Sequence, residues 1–128
     1  MPIYTPLITL LAILLYFYTG LLVAKARQKF GVSAPATTGN PDFERVFRVQ
    51  MNTLEWMPIF LPVLWLCALY LSDWGAALLG LVWIGGRVAY IIGYSAAAEK
   101  RHRAFLVQGL ASFALLIGAL IGIIRHLV

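Results

Sequence analysis

The amino-acid sequence predicts an all-α membrane protein, folded as one domain over residues 1–128 into a bundle of four transmembrane helices. The composition is 62% hydrophobic and 12% charged, with a mean hydropathy of +0.86. Soluble domains carry about 25% charged residues, so this chain has too few charges to cover a soluble surface. Four long apolar runs are separated by polar segments, and the basic residues flank those runs. Lipid is therefore the expected solvent.

The first predicted helix lies in the uncharged run of residues 3–24. A span needs about 20 apolar residues, and this run lacks the basic start of a secretory signal. The segment that follows, to about Asp42, contains GVSAPATTGNPD, whose Gly, Pro, Ser, Thr and Asn predict a loop. Asn40 or Asp42 could cap the second helix, with Pro41 in its first turn.

The second apolar run, residues 57–71, is short for a span and must extend into the polar stretch FERVFRVQMNTLEWMPIF at 43–60. The third run, residues 74–95, is interrupted only by Arg87, and the fourth, residues 105–124, is uncharged. A very short link around Ser72 and Asp73 makes the second and third helices antiparallel neighbours. Three glycines allow close helix approach on the third helix: Gly85, Gly86 and Gly93.

The basic residues predict the orientation of the bundle. Eight of the ten Lys and Arg residues flank the first and third connections: Lys25, Arg27, Lys29, Arg45, Arg48, Lys100, Arg101 and Arg103. The positive-inside rule then places both long loops in the cytoplasm and both termini on the opposite side. The net charge of +5 thus indicates membrane topology and anionic small molecules rather than nucleic acid.

A polar stripe follows one face of the second helix. Arg48, Asn52 and Glu55 are spaced i, i+4 and i+7, and Glu44 extends the stripe by a turn. Gln50 points about 200° away from Arg48 and faces a different neighbour. Exposing Glu55 to lipid would be costly, so the stripe is expected to face protein or a wet cavity.

The third helix carries a matching polar face. Arg87, Tyr90, Tyr94 and Arg101 fall within an arc of about 60° if this helix continues through Arg101. The two stripes could meet at the cytoplasmic ends of the helices. Such a pocket would offer arginines for carboxylates, Asn and Glu for an amine and amides, and tyrosines for hydrogen bonds.

Simpler roles for these residues remain open. Arg48 could form a surface pair with Glu44, Arg87 could form an intramembrane ion pair with Glu55, and the two tyrosines could belong to an aromatic belt. The single cysteine, Cys67, cannot form an internal disulfide and is expected to be a small buried apolar residue. His102 and His126 are expected at the membrane interface, without a metal role.

At FERVFRVQMNTLEW the chain resembles the MAPEG family, the membrane-associated proteins in eicosanoid and glutathione metabolism. The loop VSAPATTGNP, the segment GRVAYIIGY and Arg101, seven residues after Tyr94, match as well. The similarity covers almost the whole chain, and the pattern E-R-x-x-R-x-Q-x-N-x-x-E is its most specific part. The nearest branches are the leukotriene C synthases and the small microsomal glutathione transferases.

The resemblance implies a homotrimer that binds glutathione between neighbouring subunits. Five residues match positions that contact glutathione from one subunit: Arg48, Asn52, Glu55, Tyr90 and Tyr94. Arg27 and Gln50 match positions that reach it from the adjacent subunit, and Arg101 matches the arginine that activates the thiol. Glutathione would be the co-substrate, without a metal. The other partners would be membrane lipids and a lipophilic electrophile or lipid from the bilayer, with no nucleic acid.

The chain departs from the family pattern at Trp56, where the leukotriene synthase has a tyrosine that hydrogen-bonds glutathione. The family also includes the non-enzymatic five-lipoxygenase-activating protein, which lacks arginines matching Arg48 and Arg101. Their presence here favours a glutathione transferase, with reduction of lipid hydroperoxides as a side activity. A non-catalytic lipid-binding scaffold is the main alternative. Small four-helix drug transporters need a carboxylate in the first span, and this chain has none there.

Overall fold

The computed structural model describes residues 1–96 and 101–128, which form four helices. They are α1 (Thr5–Phe30), α2 (Pro41–Tyr70), α3 (Asp73–Ala96) and α4 (Arg101–Leu127). Each is long and apolar enough to cross a membrane, so the predicted four-span bundle is confirmed. Lys100, which contributes to the predicted charge asymmetry, lies outside the described residues.

The polar stretch at 43–60 is helical, as predicted, and lies within the first 20 residues of the 30-residue helix α2. Asn40 caps this helix: its Oδ1 accepts hydrogen bonds from the backbone N–H groups of Asp42, at 2.9 Å, and Phe43, at 3.1 Å. Pro41 occupies the first turn, where its missing N–H costs nothing. The cap is thus Asn40 and not Asp42.

Both termini lie at the end of the bundle that holds the α2–α3 link. The Asp73 carboxylate accepts hydrogen bonds from the backbone N–H groups of Ile3, at 2.7 Å, and Tyr4, at 2.9 Å. Near the other terminus, the His126 ring packs edge-on against Tyr70, with centroids 5.4 Å apart. The 31–40 loop and the facing ends of α3 and α4 therefore lie at the opposite end. Which side of the membrane holds each end stays a prediction.

Close packing of α3 against α4 positions the polar end of the bundle. A Cβ at Gly86 would lie 3.2 Å from both Ala104 O and Gln108 N, so only glycine allows this approach without movement. The predicted role of Gly86 is confirmed, whereas Gly85 faces open space. Deeper in the bundle, Phe60 stacks on Trp83. Cys67 is buried in the same core cluster, as predicted.

Candidate ligand-binding site

A cavity of about 340 Å³ lies where the polar ends of α2, α3 and α4 meet. Its volume falls within the usual range for small-molecule sites, about 300–1,000 Å³. Seven residues line it: Arg48 and Asn52 from α2, Tyr90 and Tyr94 from α3, and Arg101, His102 and Phe105 from α4. The structure therefore brings five of the residues singled out in the sequence into one site, as the meeting of two polar stripes predicts.

Arg101 reaches this cavity from a different helix than expected. The shared arc with Arg87, Tyr90 and Tyr94 required α3 to continue through Arg101, and this condition is not met, because Arg101 belongs to α4. The two helices are antiparallel and touch at Gly86, so the start of α4 returns beside the end of α3. The Arg101 guanidinium consequently lies over the Tyr94 ring, 5.1 Å from its centroid. His102 and Phe105, which the sequence analysis left outside the site, enter with it, because they lie next to Arg101 and one turn after it on α4.

Glu55 holds Arg48 rather than lining the cavity. Arg48 Nη1 donates to Glu55 Oε1 at 3.0 Å, and each side chain is 54% exposed in the single chain. Within the described residues, Arg48 thus pairs with Glu55 and not with Glu44. Glu55 and Asn52 point in different directions because they lie about 60° apart around the axis of α2. Asn52 turns towards α3, where it is buried, and Glu55 turns away.

Arg87 lies behind the cavity and is fully buried. Its Nη1 donates to Asn52 Oδ1 at 2.8 Å, with a longer contact to Thr53 Oγ1 at 3.4 Å. The guanidinium also lies over the Tyr90 ring, 4.6 Å from its centroid. An Arg87–Glu55 ion pair is therefore not formed in the described chain, because Arg87 bonds to Asn52 while Glu55 bonds to Arg48.

Aromatic residues form the apolar wall of the site. The Trp56 ring packs edge-on against Phe105, with centroids 5.5 Å apart, and Tyr90 lies 6.2 Å from the same Phe105 ring. Trp56 is therefore one layer behind the cavity lining and contacts α4. Trp56 thus supplies packing here.

The two remaining predicted residues, Arg27 and Gln50, lie on the α1 side of the bundle. Arg27 Nη1 donates to the carbonyl oxygen of Ala36 at 2.7 Å, and its guanidinium lies over the Phe43 ring. Gln50 faces α1, since a Cβ at Gly20 would lie 3.4 Å from its Nε2. Neither lines the cavity in the single chain, which agrees with the predicted direction of Gln50.

A larger depression, of about 590 Å³, also lies between α1 and α2. Lys25, Lys29, Asp42 and Arg45 contribute its polar lining, and Asp42 forms an ion pair with Arg45. None of the predicted ligand-binding residues lines it. In the described ranges, 1–96 and 101–128, no cluster of three or more His, Cys, Asp or Glu residues is placed to hold a metal ion.

The chain is similar in sequence to a family of known proteins and to several of their members. Residues 5–121 match the MAPEG family. An uncharacterized protein of Synechocystis sp. is 53% identical over 121 residues, which cover 94% of this chain and 88% of that protein. Human microsomal glutathione S-transferase 2 is 49% identical over 104 residues, covering 80% and 71% of the two chains. Bovine leukotriene C4 synthase is 40% identical over 119 residues, covering 93% and 79%.

Proposed function

The chain belongs to the MAPEG family, and from this premise we propose that it is a membrane-bound glutathione transferase that contributes to detoxification. It activates the glutathione thiol to attack lipophilic electrophiles from the bilayer, and it also reduces lipid hydroperoxides. The observation that carries this proposal is the cavity shared by Arg48, Asn52, Tyr90, Tyr94 and Arg101. Polar and cationic groups meet there beside spans exposed to lipid, so a water-soluble thiol and an oily substrate can react.

Glutathione is a tripeptide with two carboxylates, one amine and one thiol, and the cavity offers groups that complement it. Arg48 binds a carboxylate through its planar guanidinium, and Glu55 orients Arg48 through their 3.0 Å hydrogen bond. Glu55 lies outside the cavity of the single chain, and in the proposed complex its second carboxylate oxygen accepts from the ligand amine beside Arg48. Tyr90 and Tyr94 supply phenolic hydroxyls for the peptide backbone.

Arg101 supplies the charge for the chemical step. A free thiol has a pKa of about 8.5, so only a few per cent is thiolate at pH 7. A guanidinium beside the sulfur favours the thiolate form. The thiolate forms a carbon–sulfur bond with the electrophile, and the leaving group departs with its bonding electron pair. In hydroperoxide reduction, two glutathione molecules become one disulfide while the hydroperoxide becomes an alcohol and water.

The proposed orientation places this site on the cytoplasmic side of the membrane. Arg48, Arg101 and Arg103 lie at the same end of the bundle as the 31–40 loop. Positive charges near span ends are retained in the cytoplasm, where glutathione is available. The termini lie on the opposite side.

Glutathione-dependent turnover by the purified protein tests this proposal. In detergent, the protein should conjugate chlorodinitrobenzene or a lipid epoxide to glutathione, or reduce a lipid hydroperoxide with it. Product formation should saturate with glutathione concentration. Replacing glutathione with its serine analogue, which lacks the thiol, should abolish turnover. If no substrate of this panel reacts and calorimetry detects no glutathione binding, the non-catalytic lipid-binding scaffold becomes the better account.

A second expected result is a homotrimer with shared sites. Arg27 and Gln50 lie outside the cavity of their own chain and are available to complete the site of a neighbour. Native mass spectrometry in detergent should show three chains. Mixed trimers of Arg101→Ala and Gln50→Ala subunits should be more active than either parent trimer, because some of their sites combine an intact Arg101 with an intact Gln50.

The mixed-trimer experiment has a direct control in trimers assembled from Arg101→Ala subunits and Arg101→Ala,Gln50→Ala subunits. No intact site can form in that mixture, so activity should not recover. A stable monomer that binds glutathione as tightly as the native assembly would contradict the shared site.

A further inference from the structure

Arg87 is a fully buried cation within a predicted membrane span. Within residues 1–96 and 101–128, both ion pairs involve other arginines, Arg45 and Arg48. Burying a charge without a carboxylate partner is costly, and ionisable residues within membrane spans usually serve a function. Arg87 lies directly behind the cavity, so its function is expected to involve the residues that line it.

The hydrogen bond between Arg87 and Asn52 fixes the direction of the Asn52 amide. A guanidinium can only donate hydrogen bonds, so the group that meets Arg87 Nη1 at 2.8 Å must be the acceptor, Oδ1. This leaves the two N–H donors of Nδ2 as the free hydrogen-bonding groups of a side chain that lines the cavity. Without Arg87, the amide could turn over and present its oxygen instead.

Arg87 also supports a second residue of the cavity. Its guanidinium lies over the Tyr90 ring, 4.6 Å from the centroid, in a cation–π contact. Tyr90 is buried and lines the cavity beside Asn52. One buried side chain therefore contacts two residues that face the ligand, although Arg87 itself does not line the cavity.

We propose that Arg87 is a positioning residue that holds Asn52 with its amide N–H groups towards the ligand. Asn52 then meets an acceptor on glutathione, either a carboxylate or a peptide carbonyl oxygen, and not its amine. This inference rests on the proposed glutathione site. It also refines the expectation that Asn52 and Glu55 share the amine and amides, because the Asn52 N–H groups then meet an acceptor and the amine is left to Glu55.

Glutathione affinity measured by calorimetry tests the role of Arg87. Arg87→Met should weaken binding by about 5–20-fold, the effect of losing one oriented hydrogen bond. Its melting temperature should stay the same or rise, because an apolar side chain replaces an uncompensated buried charge. Arg87→Lys restores a donor and should bind within about threefold of the native protein. Thr53→Val removes only the longer 3.4 Å contact and should leave affinity unchanged.

A double-mutant cycle separates positioning from general support of the fold. In an Asn52→Ala background, Arg87→Met should cause a much smaller loss of affinity than in the native protein, because the amide that it orients is gone and only its contact with Tyr90 remains. Arg87→Leu, which also lacks a hydrogen-bond donor, replaces Arg87→Met in the cycle if the methionine variant does not fold. Full additivity of the two losses, or native affinity in the Arg87 variant, would overturn the inference.

Asn52→Asp tests whether the ligand group that meets residue 52 is a hydrogen-bond acceptor or the amine. It exchanges the N–H donors for an oxygen while keeping an acceptor for Arg87. Affinity should fall at least about tenfold if the ligand presents an acceptor, and it should rise if the ligand presents its amine, which would refute the inference. If the native protein itself binds no glutathione, the proposed function fails instead, so the two failures are distinguishable.

Discussion

Replacing Arg101 with alanine should lower kcat by about 10–1000-fold, the range expected when one preorganised electrostatic contact to a developing charge is lost. Arg101 lines the cavity and lies over the Tyr94 ring, which holds its positive charge close to the expected position of the sulfur. A charge that stabilises the thiolate acts mainly on the chemical step. Glutathione affinity should therefore change much less than kcat, as steady-state kinetics and calorimetry on the same preparation can determine.

Arg103→Ala is the matched control for this variant. Arg103 is two residues further along α4, is exposed, and does not line the cavity. Its removal changes the net charge equally and should leave kcat unchanged. If Arg101→Ala keeps full kcat, the positive charge of Arg101 serves only to orient the protein in the membrane. Arg27, which the family resemblance places near glutathione from the adjacent subunit, is then the next candidate for the activating group.

Replacing Arg48 with alanine should raise the KM for glutathione by about 10–100-fold, the expected cost of losing a charge-assisted hydrogen bond to a carboxylate. This contact is made equally in the ground state and the transition state, so kcat should change little. Calorimetry should show the same loss of affinity as the kinetics.

Two further variants sharpen the Arg48 experiment. Arg45→Ala removes an exposed arginine of the same helix that pairs with Asp42 outside the cavity, and it should leave the KM unchanged. Glu55→Gln weakens the hold on Arg48 and should give a smaller rise in KM than Arg48→Ala. If Arg48→Ala instead shows a large fall in kcat with an unchanged KM, Arg48 acts in the chemical step and not in glutathione binding.

Hydropathy and helical periodicity predicted most of the fold and much of the site. The four spans follow from long apolar runs, and the sequence narrowed the cap of α2 to Asn40 or Asp42, of which the structure shows Asn40. The spacing of Arg48 and Asn52 on α2, and of Tyr90 and Tyr94 on α3, placed all four residues on facing surfaces. Hydropathy, capping and residue spacing are local properties of a single helix, so they can be predicted from the sequence alone.

Features that depend on packing between helices were harder to predict. A helical wheel gives direction but not what lies opposite, so it did not show that Glu55 bonds to Arg48 while Asn52 bonds to Arg87. It considered Arg101 only as a possible continuation of α3, whereas Arg101 reaches the Tyr94 ring from the start of α4. The relation of Arg27 and Gln50 to the site depends on a neighbouring chain.

The most direct test of the proposed site is an ultraviolet difference titration of the native protein with glutathione, at a pH below the pKa of the free thiol. If the cavity binds glutathione beside Arg101, thiolate absorbance should appear and saturate with glutathione concentration. The oxygen analogue should bind without producing that signal. Absence of both a thiolate signal and saturable binding would contradict the account, because the polar residues at the end of the bundle would then have no role in glutathione chemistry.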